Sequence, residues 1–215
     1  MAKVNSELRD AELNPPPVTK AAIERRALIL ERAAQLFDES GYHNTTMIDI
    51  ANSVGMRKPS LYHYYSNKDE ILSSIHASFI DGLIEHQEAR LEEGLSGPEL
   101  VSDLLLEICT LIRTKRGHVR TFFEHHRELS GEDKVLTEQK RRRHRHLVQK
   151  SLESAIAKGE LVNVDPEVAT HAVLGMATWA YHWYGPEDPR EPEECAQILG
   201  AIVLSGLLPA GSDQR

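Results

Sequence analysis

Apolar residues recur along this chain at intervals of three and four rather than two, which predicts one helix after another and no sheet. The first stripe, Ile29, Ala33, Leu36 and Phe37, stops at Gly41. Between Met47 and Ser66 the apolar positions shorten to two brief runs around Gly55, the pattern of two short helices and a turn. Ser66-x-x-Asp69 is the expected start of a longer helix running through Ile71, Ile75, Phe79 and Leu83. Beyond the break at Gly94 to Pro98, Leu100, Leu104, Ile108 and Leu111 form one stripe, and Val119, Phe122, Phe123 and His126 the next. Going backward by fours from Ile156 through Leu152 and Val148 turns His144 inward, with Lys140 or Arg141 one turn further. Asp165-Pro166 opens a helix with two apolar faces, Val168, Ala172, Gly175 and Trp179 on one and Val173, Met176, Ala180 and Tyr184 on the other. The last helix is apolar nearly all round from Ile198 to Leu208. The expected fold is all-α.

The segment from Met47 to Ser66 has the composition of a helix-turn-helix. Ala51 is small where two helices must cross, and Gly55 permits the left-handed turn conformation. Ile50, Val54 and Leu61 supply the clamp between them. Thr46-x-x-Asp49 reads as a capping box for the first helix, and Arg57-Lys58-Pro59 starts the second, because proline is tolerated in a first turn. In this geometry Arg57 and Lys58 are placed to read guanine edges, with Thr46, Ser60, Tyr62, His63 and Lys68 as phosphate or groove contacts.

From Thr45 to Leu72 the run TTMIDIANSVGMRKPSLYHYYSNKDEIL resembles the DNA-binding signature of the TetR family of bacterial transcriptional regulators. Its Thr-Thr, Asp-Ile-Ala, Gly, Leu-Tyr-x-x-aromatic and Lys-x-x-Leu elements fall at matching places over about fifty residues. Arg57 stands where the family often has a Ser or Thr cap, and Pro59 where it often has Gly. The resemblance implies an N-terminal three-helix DNA-binding domain followed by a helical-bundle domain for ligand binding and dimerisation. The expected boundaries are an arm over residues 1–18, a DNA-binding domain over 19–67 and an effector domain over 68–215. The arm, with Pro15-Pro16-Pro17 and no apolar period, is expected to be flexible or extended.

Charge sharpens this division. The 215 residues carry a net charge of −8, which is wrong for a DNA-binding chain until it is apportioned. From Lys20 to Lys68 seven cations outnumber five anions, whereas from Asp69 onward sixteen cations face twenty-five anions. The acidic part repels DNA and leaves the helix-turn-helix face to approach the phosphates. Cys109 and Cys195 lie in apolar helical patterns without metal-ligand or redox spacing, as expected of reduced thiols in a cytoplasm. No signal segment or membrane-length apolar run is evident, so no membrane partner is expected.

Two helices as apolar as the last pair are hard to bury in a chain of this size. They are expected to meet their copies in a homodimer, with Met176, Ala180, Ile198, Ala201, Ile202 and Ser205 at the contact. The histidines lack the spacing of a metal site, and no nucleophile, base and orienter stand together, so neither a metal, a cofactor nor an enzyme activity is expected. The run from Lys140 to Arg145 is either a solvated face or, through Arg141 and His144, an anion site. The aromatic residues Phe122, Phe123, Trp179, His182 and Trp183 fit core or dimer packing, or a ligand pocket. Glu124-x-x-Arg127-Glu128-Leu129, Lys158-Gly159-Glu160-Leu161 and Trp179-x-x-x-Trp183-Tyr184-x-Pro186 resemble TetR members that sense acyl-coenzyme A thioesters of lipid or steroid breakdown. That resemblance implies a repressor released from a palindromic double-stranded operator by a small hydrophobic effector. Leu104, Ile108, Phe122, Phe123, His126 and Trp179 would line the acyl slot, with Arg141 and His144 on the anionic end. A drug sensor governing efflux, or a helical small-molecule-binding protein without DNA activity, are the alternatives.

Overall fold

The computed structural model describes residues 19–208. The expected arm over residues 1–18 lies outside them. Nine α-helices occupy the described residues: α1 (Lys20–Ser40), α2 (Met47–Ser53), α3 (Lys58–Tyr62), α4 (Lys68–Glu92), α5 (Gly97–Thr114), α6 (Arg116–Glu124), α7 (Gly131–Ala157), α8 (Pro166–Trp179) and α9 (Pro192–Leu207). A single 3-10 turn, Ala180–His182, follows α8.

Local chemistry sets the helix ends. Thr19 caps α1 by accepting from the Ala22 amide, and Gly41 ends it at φ 83°, a conformation that favours glycine. Thr46 and Asp49 form the full capping box of α2, and Gly55 takes φ 66° in the turn that follows. The start of α4 differs from the expected one by a residue. Asn67 is the cap, accepting from the Glu70 amide at 2.7 Å, while Glu70 reaches back to the Ser66 amide. Asp69 is thereby released to accept from the Tyr42 hydroxyl. Ser96 and Glu99 make a second capping box at α5, which hides in the glycine-rich break.

Two apolar cores result, and α4 belongs to both. Ile71, Leu72 and Ile75 close the core of α1 to α3 around Ile29, Phe37, Ile50 and Leu61. One turn on, Phe79, Ile80, Leu83 and Ile84 enter the larger core made with α5 to α9. A helix that is embedded in two cores moves them together, since close-packed side chains transmit displacement. None of the described helices is long and apolar enough to cross a membrane.

Candidate DNA-reading face and effector cavity

On the α2–α3 unit, Ile50, Ala51 and Leu61 are buried while Arg57, Lys58, Tyr62 and His63 are exposed and Ser60 is half-exposed. Arg57 occupies the cap position of α3 without a side-chain capping bond, so its guanidinium is free of that duty. Lys58 lies 5.8 Å from the Tyr62 ring, and the two form one side of the exposed face. Tyr65 packs inward, with the Arg26 guanidinium 4.5 Å from its ring centroid. Thr46 uses its hydroxyl on Asp49, at 2.6 Å, which makes it a helix cap first.

Lys68 has a different place from the phosphate contact expected of it. Its ammonium donates to the carbonyls of Tyr42 at 2.6 Å and Thr45 at 2.8 Å, and sits 4.2 Å over the Tyr42 ring. It therefore ties the α1–α2 turn to the start of α4, satisfying carbonyls that no helix uses. Burial lowers its pKa from the ordinary value.

Six of the eight expected ligand residues come together around one cavity of about 320 Å³: Leu104, Ile108, Phe122, Phe123, Arg141 and His144. Ile80 and Leu83 of α4 and Leu174 of α8 complete its apolar walls, and Arg145 adds a second cation. Arg141 lies 3.9 Å above the Phe122 ring and donates to the Phe122 carbonyl, but its buried Nε has no partner among the described residues. Burial lowers Arg141 only to about 10, so it stays charged at neutral pH. His144 does not: burial pushes it down to about 4. The expected pair of cations is thus one cation and one neutral imidazole, because a second buried charge would go unpaired.

Two expected ligand residues lie elsewhere. His126 is exposed, with Nδ1 3.0 Å from its own Phe123 carbonyl. Trp179 is 64% exposed and lies tilted against His182, with ring centroids 4.0 Å apart, outside the cavity wall. Val168, Ala172 and Gly175 of α8 are exposed with it, as are Ile198, Ala201, Ile202 and Ser205 of α9. Of the remaining expected dimer residues, Met176 is half-buried and Ala180 is fully buried in its own subunit's core. Ala180 cannot meet a second copy, since it begins the 3-10 turn after α8, which packs on α5 and α6.

Glu107 was not anticipated. It sits one residue before Ile108 on the apolar stripe of α5, an acidic position within a core-facing turn, and that was the available signal. Burial, reinforced by the neighbouring Asp103 carboxylate, raises its pKa to about 8. His76 is equally hidden: wholly buried on α4, its ring 5.3 Å from Phe122, with neither nitrogen partnered among the described residues and a pKa driven down to about 3 by burial.

The cavity and the DNA-reading unit meet on α6. Phe122 and Phe123 face the cavity, whereas Arg116 and Arg120 pair with Asp38 of α1, and His118 lies 3.5 Å from Glu31 of α1.

Residues 29–75 match the model of bacterial regulatory proteins of the tetR family, and residues 96–207 match that of the tetracyclin repressor-like C-terminal domain. The chain belongs to the TetR family of transcriptional regulators. Among its relatives, the transcriptional repressor KstR2 of Mycolicibacterium smegmatis is 24% identical over 202 residues, covering 93% of this chain and 98% of the relative. The TetR-family regulator PfmR from Thermus thermophilus superposes with a TM-score of 0.77 at 31% identity, over 83% of this chain and 97% of that one. The regulator AibR, solved with isovaleryl coenzyme A and operator DNA, superposes with a TM-score of 0.74 at 26% identity, over 83% and 97% of the two chains.

Proposed function

We propose that this TetR-family protein is a dimeric cytoplasmic repressor that binds a pseudo-palindromic operator and leaves it when an acyl thioester of coenzyme A fills the α4–α8 cavity. The observation that carries the ligand class is Arg141, a half-buried guanidinium whose buried Nε has no partner and which has no carboxylate in ion-pair reach among the described residues, beside the Phe122, Phe123, Leu104 and Ile108 side of the cavity. A buried cation is costly unless an anion or strong acceptor joins it. An apolar chain continued by the oxygen-rich, anionic coenzyme A meets both requirements, the acyl part against Phe122, Phe123 and Leu104 and the coenzyme A part, with its amide oxygens and phosphates, toward Arg141 and Arg145. The isovaleryl coenzyme A bound by AibR supports the same class. A cationic drug is disfavoured, since Arg141 and Arg145 would repel it.

The two recognition helices read the operator through Arg57 and Lys58, with Ser60, Tyr62 and His63 against the phosphates. The outer face of α8 and α9 joins two copies. Ligand pressure on Phe122 and Phe123 is passed by α6 to Asp38 and Glu31, and by α4 through its two cores, so the liganded state holds the recognition helices at a spacing that fits DNA poorly. Titrating acyl-coenzyme A thioesters into the protein–operator complex tests this. Release is expected, and Arg141→Ala should weaken it at least about tenfold. Failure of every thioester to bind would overturn the ligand class.

A further inference from the structure

One residue of the effector cavity has a chemistry that neither the acyl slot nor the coenzyme A cations use. His144 of α7 is nine-tenths buried and lines the cavity. Neither of its ring nitrogens makes a hydrogen bond among the described residues, and burial alone pulls its pKa down to about 4. At neutral pH the ring therefore offers one N–H and one bare nitrogen, a donor and an acceptor that no protein group answers. His76 shows the contrast: its nitrogens are unpartnered too, but they are sealed inside the protein and form no part of this wall.

The other polar groups of the wall are engaged or face elsewhere. Arg141 donates to the Phe122 carbonyl and keeps its charge, while Arg145 and His171 stand exposed. The Thr178 hydroxyl turns back to the Gly175 carbonyl at 3.4 Å. The Glu107 carboxyl lies 3.8 Å from His86 and beside Asp103, neither of which lines the cavity.

Resting on the acyl-thioester reading above, we infer that the cavity is built for a hydroxyacyl thioester, and that His144 is the residue that tells it from the unsubstituted one. A polar group left bare in a binding site discriminates against whatever fails to satisfy it. A saturated acyl chain laid past His144 strips water from its ring nitrogens and gives nothing back. A hydroxyl accepts from the N–H or donates to the bare nitrogen, whichever edge of the ring it meets. His144 lies between Arg141 and Arg145 along α7, at the level where the coenzyme A part gives way to the acyl part. The hydroxyl it meets is therefore carried on one of the first carbons beyond the thioester. An anionic substituent at the same place is disfavoured, since the ring would have to take up a proton in a site where burial opposes its charge.

The test is calorimetric titration of the full-length protein at neutral pH with butanoyl- and octanoyl-coenzyme A and the β-hydroxy form of each. The native protein should bind the β-hydroxy forms about tenfold more tightly. In His144→Leu this preference should disappear, because an apolar wall has nothing for the hydroxyl, whereas His144→Gln, which keeps a donor and an acceptor, should retain most of it. His144→Met replaces the leucine variant should that one fold poorly, and operator affinity without thioester checks the fold of each. Repeating the titrations in two buffers of different ionisation enthalpy counts the protons bound; the native protein and His144→Gln should take up the same number. A proton taken up by the native protein alone would put an anionic group of the ligand at His144 and overturn the hydroxyl. Equal affinity of plain and β-hydroxy forms for the native protein, or a preference that survives in His144→Leu, would overturn it as well and leave the ligand class standing. Failure of all four thioesters to bind the native protein would overturn both.

Discussion

Gly117 of α6 lies so close to the backbone of Ala34 in α1 that a Cβ on it would stand 2.7 Å from the Ala34 carbonyl carbon and oxygen. Helix α6 can therefore rest directly on the DNA-binding domain, and its cations reach Asp38 only at this separation. Gly117→Ala forces the backbones apart, at a cost of about 1–3 kcal/mol in stability by overpacking. Because the α6–α1 contact is the one proposed to carry the effector's signal, the variant should also bind operator more weakly before any effector is added. Thermal unfolding and operator titration measure the two effects; unchanged operator affinity in a destabilised variant would show that this contact supports the fold without relaying the signal.

Arg57→Ala and Lys58→Ala should relax discrimination at particular base pairs by roughly 1–3 kcal/mol each. Tyr62→Phe should weaken operator and scrambled DNA alike, because a phosphate contact carries no sequence information. Parallel titrations of the two DNAs distinguish the roles. Equal losses on both in the Arg57 and Lys58 variants would assign those residues to phosphates.

Lys68→Met separates a structural lysine from a phosphate contact. With two carbonyls of the α1–α2 turn losing a charged donor, unfolding free energy should fall by about 1.5–3 kcal/mol. The salt dependence of DNA affinity should stay as it was. A slope shallower by about one unit would place the ammonium on a phosphate instead.

Ile202→Asp and Trp179→Asp put a charge in the exposed apolar face of α8 and α9, where both residues are more than half exposed in the single chain. Monomers in sedimentation are expected, with operator affinity falling to that of one half-site. The native dimer should contact half-sites roughly 34–36 Å apart. A native chain that sediments as a monomer yet binds one half-site at full affinity would remove the dimer.

Stability should fall as the solution is acidified. His76 and His144 have pKa values lowered from 6.5 to about 3 and about 4 by burial. Their neutral forms thus contribute stability that is fully present above pH 6.5 and is lost as pH falls toward those values. Glu107 has the opposite sign: raised from 4.5 to about 8, its neutral form contributes most below pH 4.5 and loses this as pH rises through 8. His144→Leu should flatten the acid limb and Glu107→Gln the alkaline one, as read by denaturant unfolding across pH. Limbs unchanged in both variants would mean that neither group is buried as described.

The sequence by itself determined the helices and the local devices that end and turn them. Helical periods, capping pairs such as Thr46 with Asp49, and Gly55 in its turn act between residues a few positions apart, so they are legible in order along the chain. The inward turn of His144 also followed from a period of four, which left Lys140 and Arg141 undecided one turn further; packing put Arg141 on the cavity and Lys140 on Asp81. Burial against distant helices was not legible in this way. Lys68 serves residues 23 and 26 positions away, so only the fold could move it from phosphate contact to tether. Trp179 and Ala180 adjoin where the two-faced helix gives way to a 3-10 turn, and periodicity alone gave no rule for which face meets the subunit's own core; packing of that turn against α5 and α6 buried Ala180 and left Trp179 out. The neutral states of His144 and Glu107 likewise depend on what surrounds each position in three dimensions, because desolvation is set by neighbours far apart in the chain.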